Sequence, residues 1–327
     1  MRRIAILVAA LLGALVLAVG ASGAVGTSFP ADFPVIVDAS LGTPVLGFGA
    51  AGQVRRTPVI LLHGNNDTPF PTACNPYGSI HALADSLLAA GYQPSELWAL
   101  GYQGDQCDLL ADQTHRSGAA HTTAANVDDL RRFVHAVLAY TGAKRVDIVG
   151  HSLGVTLARA WMRADHATQL VRRLVAIDGP NHGIISCSPS PLNYWQLAAL
   201  GGFTPDSAVC REYGAADTPF LQWLNHGGET PGPTRYLVIR NADTDFVYMP
   251  TQDGVLAGVP ALDRSGAPHD FSESAGLDGA ETVDLVGQGL YDPVLGTTHL
   301  GILNSPTTWA LVADFLTRPL PGPQTVR

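Results

Sequence analysis

Residues 146–154, with the sequence VDIVGHSLG, decide the architecture that we expect for this chain. The first half of this stretch is rich in β-branched residues, which favour a strand inside a sheet. The second half fits the pattern G-x-S-x-G, in which Ser152 lies on a tight turn between a strand and a helix. Glycines lie two residues before and after Ser152, because larger side chains would collide in so sharp a turn. Because residues 156–163 have helical character, we predict a strand, a turn exposing Ser152 and a helix.

A serine in such a turn points to nucleophilic chemistry, although an ordinary solvent-exposed turn serine would also fit the pattern. The helix that follows directs its N-terminal N–H groups at the serine, where negative charge would develop. A serine needs a base within hydrogen-bond reach, and that base needs an acid to fix its tautomer. With this kind of turn, the expected chain order is serine, then aspartate or glutamate, then histidine.

Two later residues fit that order. Asp245 follows a predicted strand at residues 236–239, and His299 follows another at residues 282–286. Parallel strands bring their carboxyl ends to one edge of a sheet, where ligand sites form. We therefore predict Ser152 as the nucleophile, His299 as the base and Asp245 as the acid.

Other side chains compete for these roles. Asp178 also ends a predicted strand, and Asp243 lies two residues before Asp245. His182 directly follows a strand but precedes Asp245, which is the wrong order for the base. His269 lies in a polar loop, where a solvated side chain is expected.

Residues 57–62 form a continuous apolar run, as central parallel strands do. They lead into His63-Gly64-Asn65, a polar turn that would lie beside Ser152. We predict that the backbone N–H groups of Asn65 and Leu153 form an oxyanion hole. An ordinary strand-to-loop turn is the alternative, and His63 is expected to bond the loop backbone.

Strand and helix patterns alternate along the chain, which predicts an α/β fold with a mostly parallel sheet and helices on both faces. Helices are predicted at residues 79–90, with Ser79 as the N-cap, and at residues 122–141 and 307–316. Residues 27–56 are expected to wrap the sheet edge or add a strand. Residues 184–233 have weak periodicity and predict either a cap-like, substrate-binding insertion or a pair of ordinary core helices.

Residues 1–24 have the layout of a secretory signal peptide. Two arginines precede an apolar run that ends in small residues, with cleavage expected after Ala21 or Ala24. An uncleaved N-terminal anchor is the alternative. The mature protein would then be a single domain of residues 25–327, secreted to the extracellular space without a stable membrane anchor.

The chain has four cysteines, all after the predicted signal peptide: Cys74, Cys107, Cys187 and Cys210. An even number of cysteines in an exported protein predicts disulfides. Of three possible pairings we predict Cys74–Cys107 and Cys187–Cys210, because each pair brackets one loop excursion. No C-x₂-C pair is present, so no metal site is expected.

Charge narrows the choice of partners. The net charge is −9 and only 14% of the residues are charged, which argues against nucleic acid or an anionic membrane surface as a partner. The predicted chemistry needs no cofactor, and nothing in the sequence specifies an oligomeric state.

Several strings resemble those of bacterial secreted lipases and esterases of the α/β-hydrolase superfamily. They are TGAKRVDIVGHSLG at residues 141–154, His63-Gly64-Asn65, Asp245-Phe246-Val247 and GTTHLG at residues 296–301. The resemblance extends from about residue 59 to residue 316. It implies a serine carboxylester hydrolase acting on lipids or other apolar esters.

A narrower resemblance concerns HGNND at residues 63–67 and HSLGV at residues 151–155. These strings are similar to those of lipase-like extracellular poly(3-hydroxybutyrate) depolymerases. The alternative functions are therefore a polyester depolymerase with the same triad and, in another class, a non-catalytic hydrolase-fold binding protein.

Overall fold

The computed structural model describes residues 24–39, 41–105, 107, 121–188, 202–204, 206–215, 217–243, 245, 262–291 and 298–319. The predicted signal peptide lies outside these residues, apart from Ala24. Residues 189–201 of the predicted insertion and residues 246–247 and 296–297 of the lipase-like strings also lie outside them.

A seven-stranded sheet forms the centre of the molecule. Its strands are β3 (Leu46–Phe48), β4 (Val59–Leu62), β5 (Leu97–Gly101), β6 (Val146–His151), β7 (Val171–Ile177), β8 (Arg235–Asn241) and β9 (Glu281–Leu285). Across the sheet they lie in the order β3-β5-β4-β6-β7-β8-β9. Every neighbouring pair is parallel except β3 and β5, which are antiparallel. The predicted mostly parallel sheet is confirmed.

Residues 27–56 were predicted either to wrap the sheet edge or to add a strand. They add a strand, the antiparallel edge strand β3. They also form a separate two-stranded sheet from β1 (Val37–Asp38) and β2 (Thr43–Pro44).

Helices cover both faces of the large sheet, as predicted. Along β4, Ile60 and Leu62 belong to one buried cluster, whereas Val59 and Leu61 belong to another. Side chains alternate between the faces of a strand, so the two clusters lie on opposite sides. Helices α2 (Thr123–Thr141) and α3 (Leu153–Ala164) contribute to the first, and α1 (Ile80–Ala89) and α7 (Pro306–Thr317) to the second.

The ends of α2 agree with the predicted range 122–141. Thr122 caps α2 by accepting a hydrogen bond from the N–H of Ala125 at 3.4 Å, and Gly142 follows it in the left-handed region with φ of 68°. Ser79 occupies the N-cap position of α1, as predicted, but it has helical backbone and its side chain makes no capping hydrogen bond.

The described part of the predicted insertion contains α4 (Ala208–Tyr213) and α5 (Pro219–Asn225). Both helices bury apolar side chains in the same cluster as α3, namely Val209, Tyr213, Leu221 and Leu224. In its described part the insertion is therefore fixed to the body of the domain. Its role as a cap stays a prediction.

Two disulfides are present, with the predicted pairing. The Cα atoms of Cys74 and Cys107 are 4.9 Å apart, and those of Cys187 and Cys210 are 5.5 Å apart. Of the helices in the described part of the chain, none combines the length and apolarity that a bilayer crossing requires.

Candidate active site

Ser152 lies between β6, which ends at His151, and α3, which begins at Leu153. We call residues 150–154 the β6 turn. Ser152 has φ of 51° and ψ of −126°, a region that non-glycine residues rarely adopt and that costs strain energy. Its N–H donates to the carbonyl of Ile177 at 2.9 Å, which fixes the turn against β7. Ser152 is half-buried, whereas His151 and Leu153 are buried.

The glycines of the β6 turn are required by close contacts, as the motif predicted. A Cβ atom at Gly154 would lie 2.6 Å from the carbonyl oxygens of Leu62 and His63. A Cβ atom at Gly150 would lie 2.8 Å from the Gly154 carbonyl carbon. Both distances are too short for a side chain, so only glycine lets α3 begin beside the end of β4.

The second turn follows β4 and comprises residues 63–67, which we call the β4 turn. A Cβ atom at Gly64 would lie 3.0 Å from both the Ser152 Cβ and the His151 Nδ1. The two turns are therefore in contact, and the predicted donor Asn65 follows immediately. Asn66 has φ of 58°, which asparagine tolerates better than most residues.

Side chains from elsewhere hold the β4 turn. Gln103 is fully buried. Its Nε2 donates to Asn65 Oδ1 at 2.9 Å, and its Oε1 accepts from the Asn66 N–H at 2.8 Å. His121 Nδ1 lies 3.0 Å from the same Asn65 oxygen. Sequence reasoning missed both residues, although a polar residue two positions beyond the end of β5 could have indicated Gln103.

His63 contacts the backbone of this turn, as predicted. Its Nδ1 lies 2.7 Å from the Gly64 carbonyl oxygen, and its ring stacks on Tyr102 with centroids 4.2 Å apart. The Tyr102 hydroxyl in turn donates to the His63 carbonyl at 2.5 Å.

The structure brings His299 and Asp245 together. His299 Nδ1 and Asp245 Oδ2 are 2.6 Å apart, and the carboxyl group is fully buried. His299 lies in α6 (Thr298–Gly301). Its carbonyl oxygen is 2.9 Å from His151 Nε2, and the two rings have centroids 4.6 Å apart. Because His151 precedes Ser152, this contact links His299 directly to the β6 turn.

His151, the last residue of β6, is fully buried. Burial lowers its pKa well below the usual value, and the neighbouring His299 adds to this effect. The ring is therefore neutral and donates its Nε2 hydrogen to the His299 carbonyl.

The competing acids have other surroundings. Asp178 follows β7 and is fully buried, and one of its carboxyl oxygens lies within 4.8 Å of an Asp245 oxygen and of a His299 ring nitrogen. Burial raises its pKa well above the usual range, and the charge of Asp245 adds to the shift. Asp243 is partly exposed and accepts a hydrogen bond from the Gly287 N–H.

The competing bases are engaged elsewhere. His182 Nε2 is 2.7 Å from Glu229, and this contact raises the histidine pKa against the opposing effect of burial. His269 packs edge-on against Phe271, with ring centroids 4.5 Å apart.

Among the described residues, one group of side chains is close enough to be considered as a metal site. Asp178, Asp245 and His299 each place one oxygen or nitrogen within 4.8 Å of the others. Their geometry is that of hydrogen bonding rather than of coordination. A nitrogen and an oxygen 2.6 Å apart share a proton, which leaves no space for an ion between them.

Fold and site together define the class of this protein. A mostly parallel sheet with a strained serine turn, a second turn on the neighbouring strand and a histidine–aspartate pair beside them is the α/β-hydrolase arrangement. The mature form of Bacillus licheniformis lipase BlEst2 superposes with a TM-score of 0.52 at 16% identity, over 83% of this chain and 97% of that one. The propeptide form gives 0.51 at 16% identity, over 86% of this chain and 55% of that one. The predicted α/β-hydrolase fold is confirmed.

The family follows from the sequence match. Residues 56–254 fit the family model described as lipase (class 2). Because this region is more than half of the 327 residues, the chain belongs to the lipase (class 2) family. The predicted resemblance to lipases and esterases is confirmed at this level, while the narrower resemblance to depolymerases stays a prediction.

A curated relative agrees over a shorter region. A triacylglycerol lipase from Pseudomonas fragi is 37% identical over 65 residues, which are 20% of this chain and 22% of that protein. The chain thus matches about a fifth of the length of this relative.

Proposed function

We propose that this protein is a secreted serine carboxylester hydrolase that cleaves apolar acyl esters. The observation that carries the proposal is the 2.6 Å contact between His299 Nδ1 and Asp245, beside a strained serine turn in a chain of the lipase (class 2) family. Ser152 would be the nucleophile, His299 the base and Asp245 the acid.

The mechanism follows from the proton positions. When Nδ1 of His299 donates to Asp245, the lone pair of the ring lies on Nε2, which becomes the basic nitrogen. Nε2 takes the Ser152 hydroxyl proton while Oγ attacks the ester carbonyl carbon. The resulting imidazolium is stabilised by Asp245 and gives the proton to the departing alcohol oxygen. Water then hydrolyses the acyl-enzyme by the same steps.

Two backbone donors would hold the oxyanion. The N–H of Leu153 belongs to the first turn of α3, and that of Asn65 belongs to the adjoining β4 turn. The contact between Gly64 and Ser152 supports their convergence on one oxygen. Loss of one such donor costs about 10²–10³ in rate.

The proposed site of action is outside the cell. The sequence of residues 1–24 fits a signal peptide, and the two disulfides suit an oxidising compartment. Mass spectrometry of protein from culture medium tests this, and we expect a mature N-terminus directly after Ala21 or Ala24.

The decisive experiment uses mature protein with nitrophenyl esters from acetyl to palmitoyl, a triolein emulsion and a poly(3-hydroxybutyrate) suspension. We expect hydrolysis of apolar esters, and Ser152→Ala abolishes it. Clearing of the polymer without hydrolysis of triolein would replace the proposal with a polyester depolymerase.

Active-site labelling separates an enzyme from a binding protein. A fluorescent organophosphonate should label Ser152 and leave Ser152→Ala unlabelled. A folded protein that neither labels nor hydrolyses any ester would contradict the proposal and favour a non-catalytic hydrolase-fold protein.

A further inference from the structure

Two buried aspartates, not one, lie behind His299. Asp178 and Asp245 are both fully buried, and one carboxyl oxygen of each lies within 4.8 Å of the other and of a ring nitrogen of His299. The contact of Asp245 with His299 is accounted for by the predicted triad. The buried Asp178 has no role in that scheme.

We propose that Asp178 is a positioning residue that donates a carboxyl hydrogen bond to Asp245 and thereby fixes the orientation of His299. The proposal rests on the proposed function, because it assigns Asp178 a role within the predicted triad. It extends that triad into a row of Asp178, Asp245 and His299.

The closeness of the two carboxyl groups favours a shared proton. Two fully buried carboxylates within 4.8 Å of each other repel when both are ionised, and neither oxygen then has a hydrogen to donate. We therefore place one proton between Asp178 and Asp245.

The surroundings assign that proton to Asp178. Asp245 faces the His299 Nδ1 at 2.6 Å, and a ring N–H stabilises the ionised carboxylate. Oδ1 of Asp178 accepts the neutral N–H of Asn241 at 2.9 Å. Burial and the charge of Asp245 both raise the Asp178 pKa.

The nearby charges support the same assignment. Arg240 is the cation that acts on Asp178, but its guanidinium is paired with Asp284 at 2.7 Å and with Glu273. On the other side, His151 is buried and its pKa is lowered, so it supplies no positive charge. A second negative charge at Asp178 would therefore be poorly compensated.

The backbone of Asp178 is fixed against β8. Asp178 has φ of 42°, and its N–H donates to the Ile239 carbonyl at 3.1 Å. This positive φ is strained, although aspartate tolerates it better than most residues. Asn241, which donates to Asp178, also donates through Nδ2 to the Thr298 carbonyl at 3.3 Å. One hydrogen-bonded chain thus connects Asp178 with the residue that precedes His299.

The test compares Asp178→Asn, which keeps a donor and an acceptor in the same shape, with Asp178→Ala, which removes both. We expect Asp178→Asn to retain kcat within a few fold. Asp178→Ala should lose about 10- to 100-fold in kcat, the usual range for a hydrogen bond to a charged group, with little change in KM. The matched control is Asp243→Asn, which should behave as the wild type.

Infrared difference spectroscopy gives a readout that needs no catalysis. At neutral pH the spectrum of the wild type minus that of Asp178→Asn should contain the carbonyl band of a protonated carboxylic acid. This arm remains interpretable if Asp178→Ala does not fold, and also if the wild type proves to hydrolyse no ester and the proposed function fails.

Three results would overturn the inference. The first is a spectrum without the protonated carboxyl band. The second is an Asp178→Ala protein that folds and keeps the wild-type kcat. The third is a loss of about 10²-fold or more in Asp178→Asn, because Asp178 would then be needed as a charged acid in its own right.

Discussion

The β6 turn and the β4 turn lie side by side at the carboxyl edge of the sheet, but different forces hold them. The β6 turn is fixed by local sterics: Gly150 and Gly154 allow contacts that no Cβ atom could make, and Ser152 takes the strained φ of 51°. The β4 turn is fixed by distant side chains, since Gln103 and His121 both bond Asn65. One turn is encoded within five residues, and the other needs partners 38 and 56 positions away.

The two kinds of restraint predict different effects of mutation. A side chain added at Gly150 or Gly154 of the β6 turn alters the shape of the backbone itself, so stability and activity should fall together. A change in the side chains that bond the β4 turn leaves the path of the backbone intact. It alters only how exactly the turn, with the Asn65 N–H, is positioned. Activity should then fall more than stability.

Ser152→Ala should have the largest effect on activity, because it removes the predicted nucleophile. We expect ester hydrolysis to fall by about 10⁴-fold or more, with thermal unfolding nearly unchanged. The control is Ser79→Ala, since the Ser79 side chain makes no capping bond and its loss should leave both properties unaltered. Retained hydrolysis in Ser152→Ala would remove this residue from the mechanism.

Gly154→Ala tests the steric half of the comparison. Its Cβ would lie 2.6 Å from the carbonyl oxygens of Leu62 and His63, so backbone must move. We expect a loss of about 1–3 kcal/mol in unfolding free energy and of about 10²-fold in kcat, because the serine is displaced. Urea unfolding and ester kinetics measure the two effects.

The matched control is Gly26→Ala, because Gly26 has nothing within 4 Å of a built Cβ. A Gly154→Ala protein as stable and active as this control would show that the contact is not restrictive.

Gln103→Leu tests the hydrogen-bonded half. It removes the two bonds to Asn65 and Asn66 while keeping the side-chain size. We expect kcat to fall by about 10-fold or more, with a small change in KM. The upper limit is the loss of about 10²–10³ that follows removal of one oxyanion donor. Gln53→Leu is the exposed control. If kcat/KM falls by the same factor but only because KM rises, Gln103 would instead act in substrate binding.

Glu212 should have the smallest effect on activity and acts on the β4 turn indirectly. Its carboxyl group accepts the N–H groups of Thr123 at 2.7 Å and Ala124 at 3.1 Å, at the start of α2. His121, which bonds Asn65, lies two residues before Thr123. Burial raises the Glu212 pKa from 4.5 to about 7.

This shift gives a stability profile with a definite sign. Between pH 4.5 and about 7 the folded state keeps a proton that the unfolded state has lost, so the unfolding free energy falls as pH rises. The fall amounts to roughly 3 kcal/mol at most, from about 1.4 kcal/mol per pKa unit. Denaturant titrations across this range should show a flatter profile for Glu212→Gln. If the unfolding free energy depends on pH in the same way in both proteins, Glu212 does not carry the proton that the folded state keeps.

Much of the fold could be predicted from the sequence, because its signals are local. The apolar run of β4, the strand–turn–helix at Ser152 and the glycine that ends α2 each depend on neighbouring residues. The sequence also placed Ser79 at the N-cap of α1, but it could not show whether the side chain would make a capping bond. In the structure Ser79 makes none, while the preceding Gly78 donates its N–H to the distant Asp67 side chain at 2.9 Å.

The strand–turn–helix at Ser152 could be predicted from the sequence alone, because the sterics of a sharp turn restrict the residue types within five positions. The sequence also offered three aspartates for one predicted role, since Asp178, Asp243 and Asp245 each follow a strand. Which of the three contacts His299 could be seen only in the folded structure. That choice depends on burial and on the packing of β7, β8 and α6 against one another, and none of these is a property of adjacent residues.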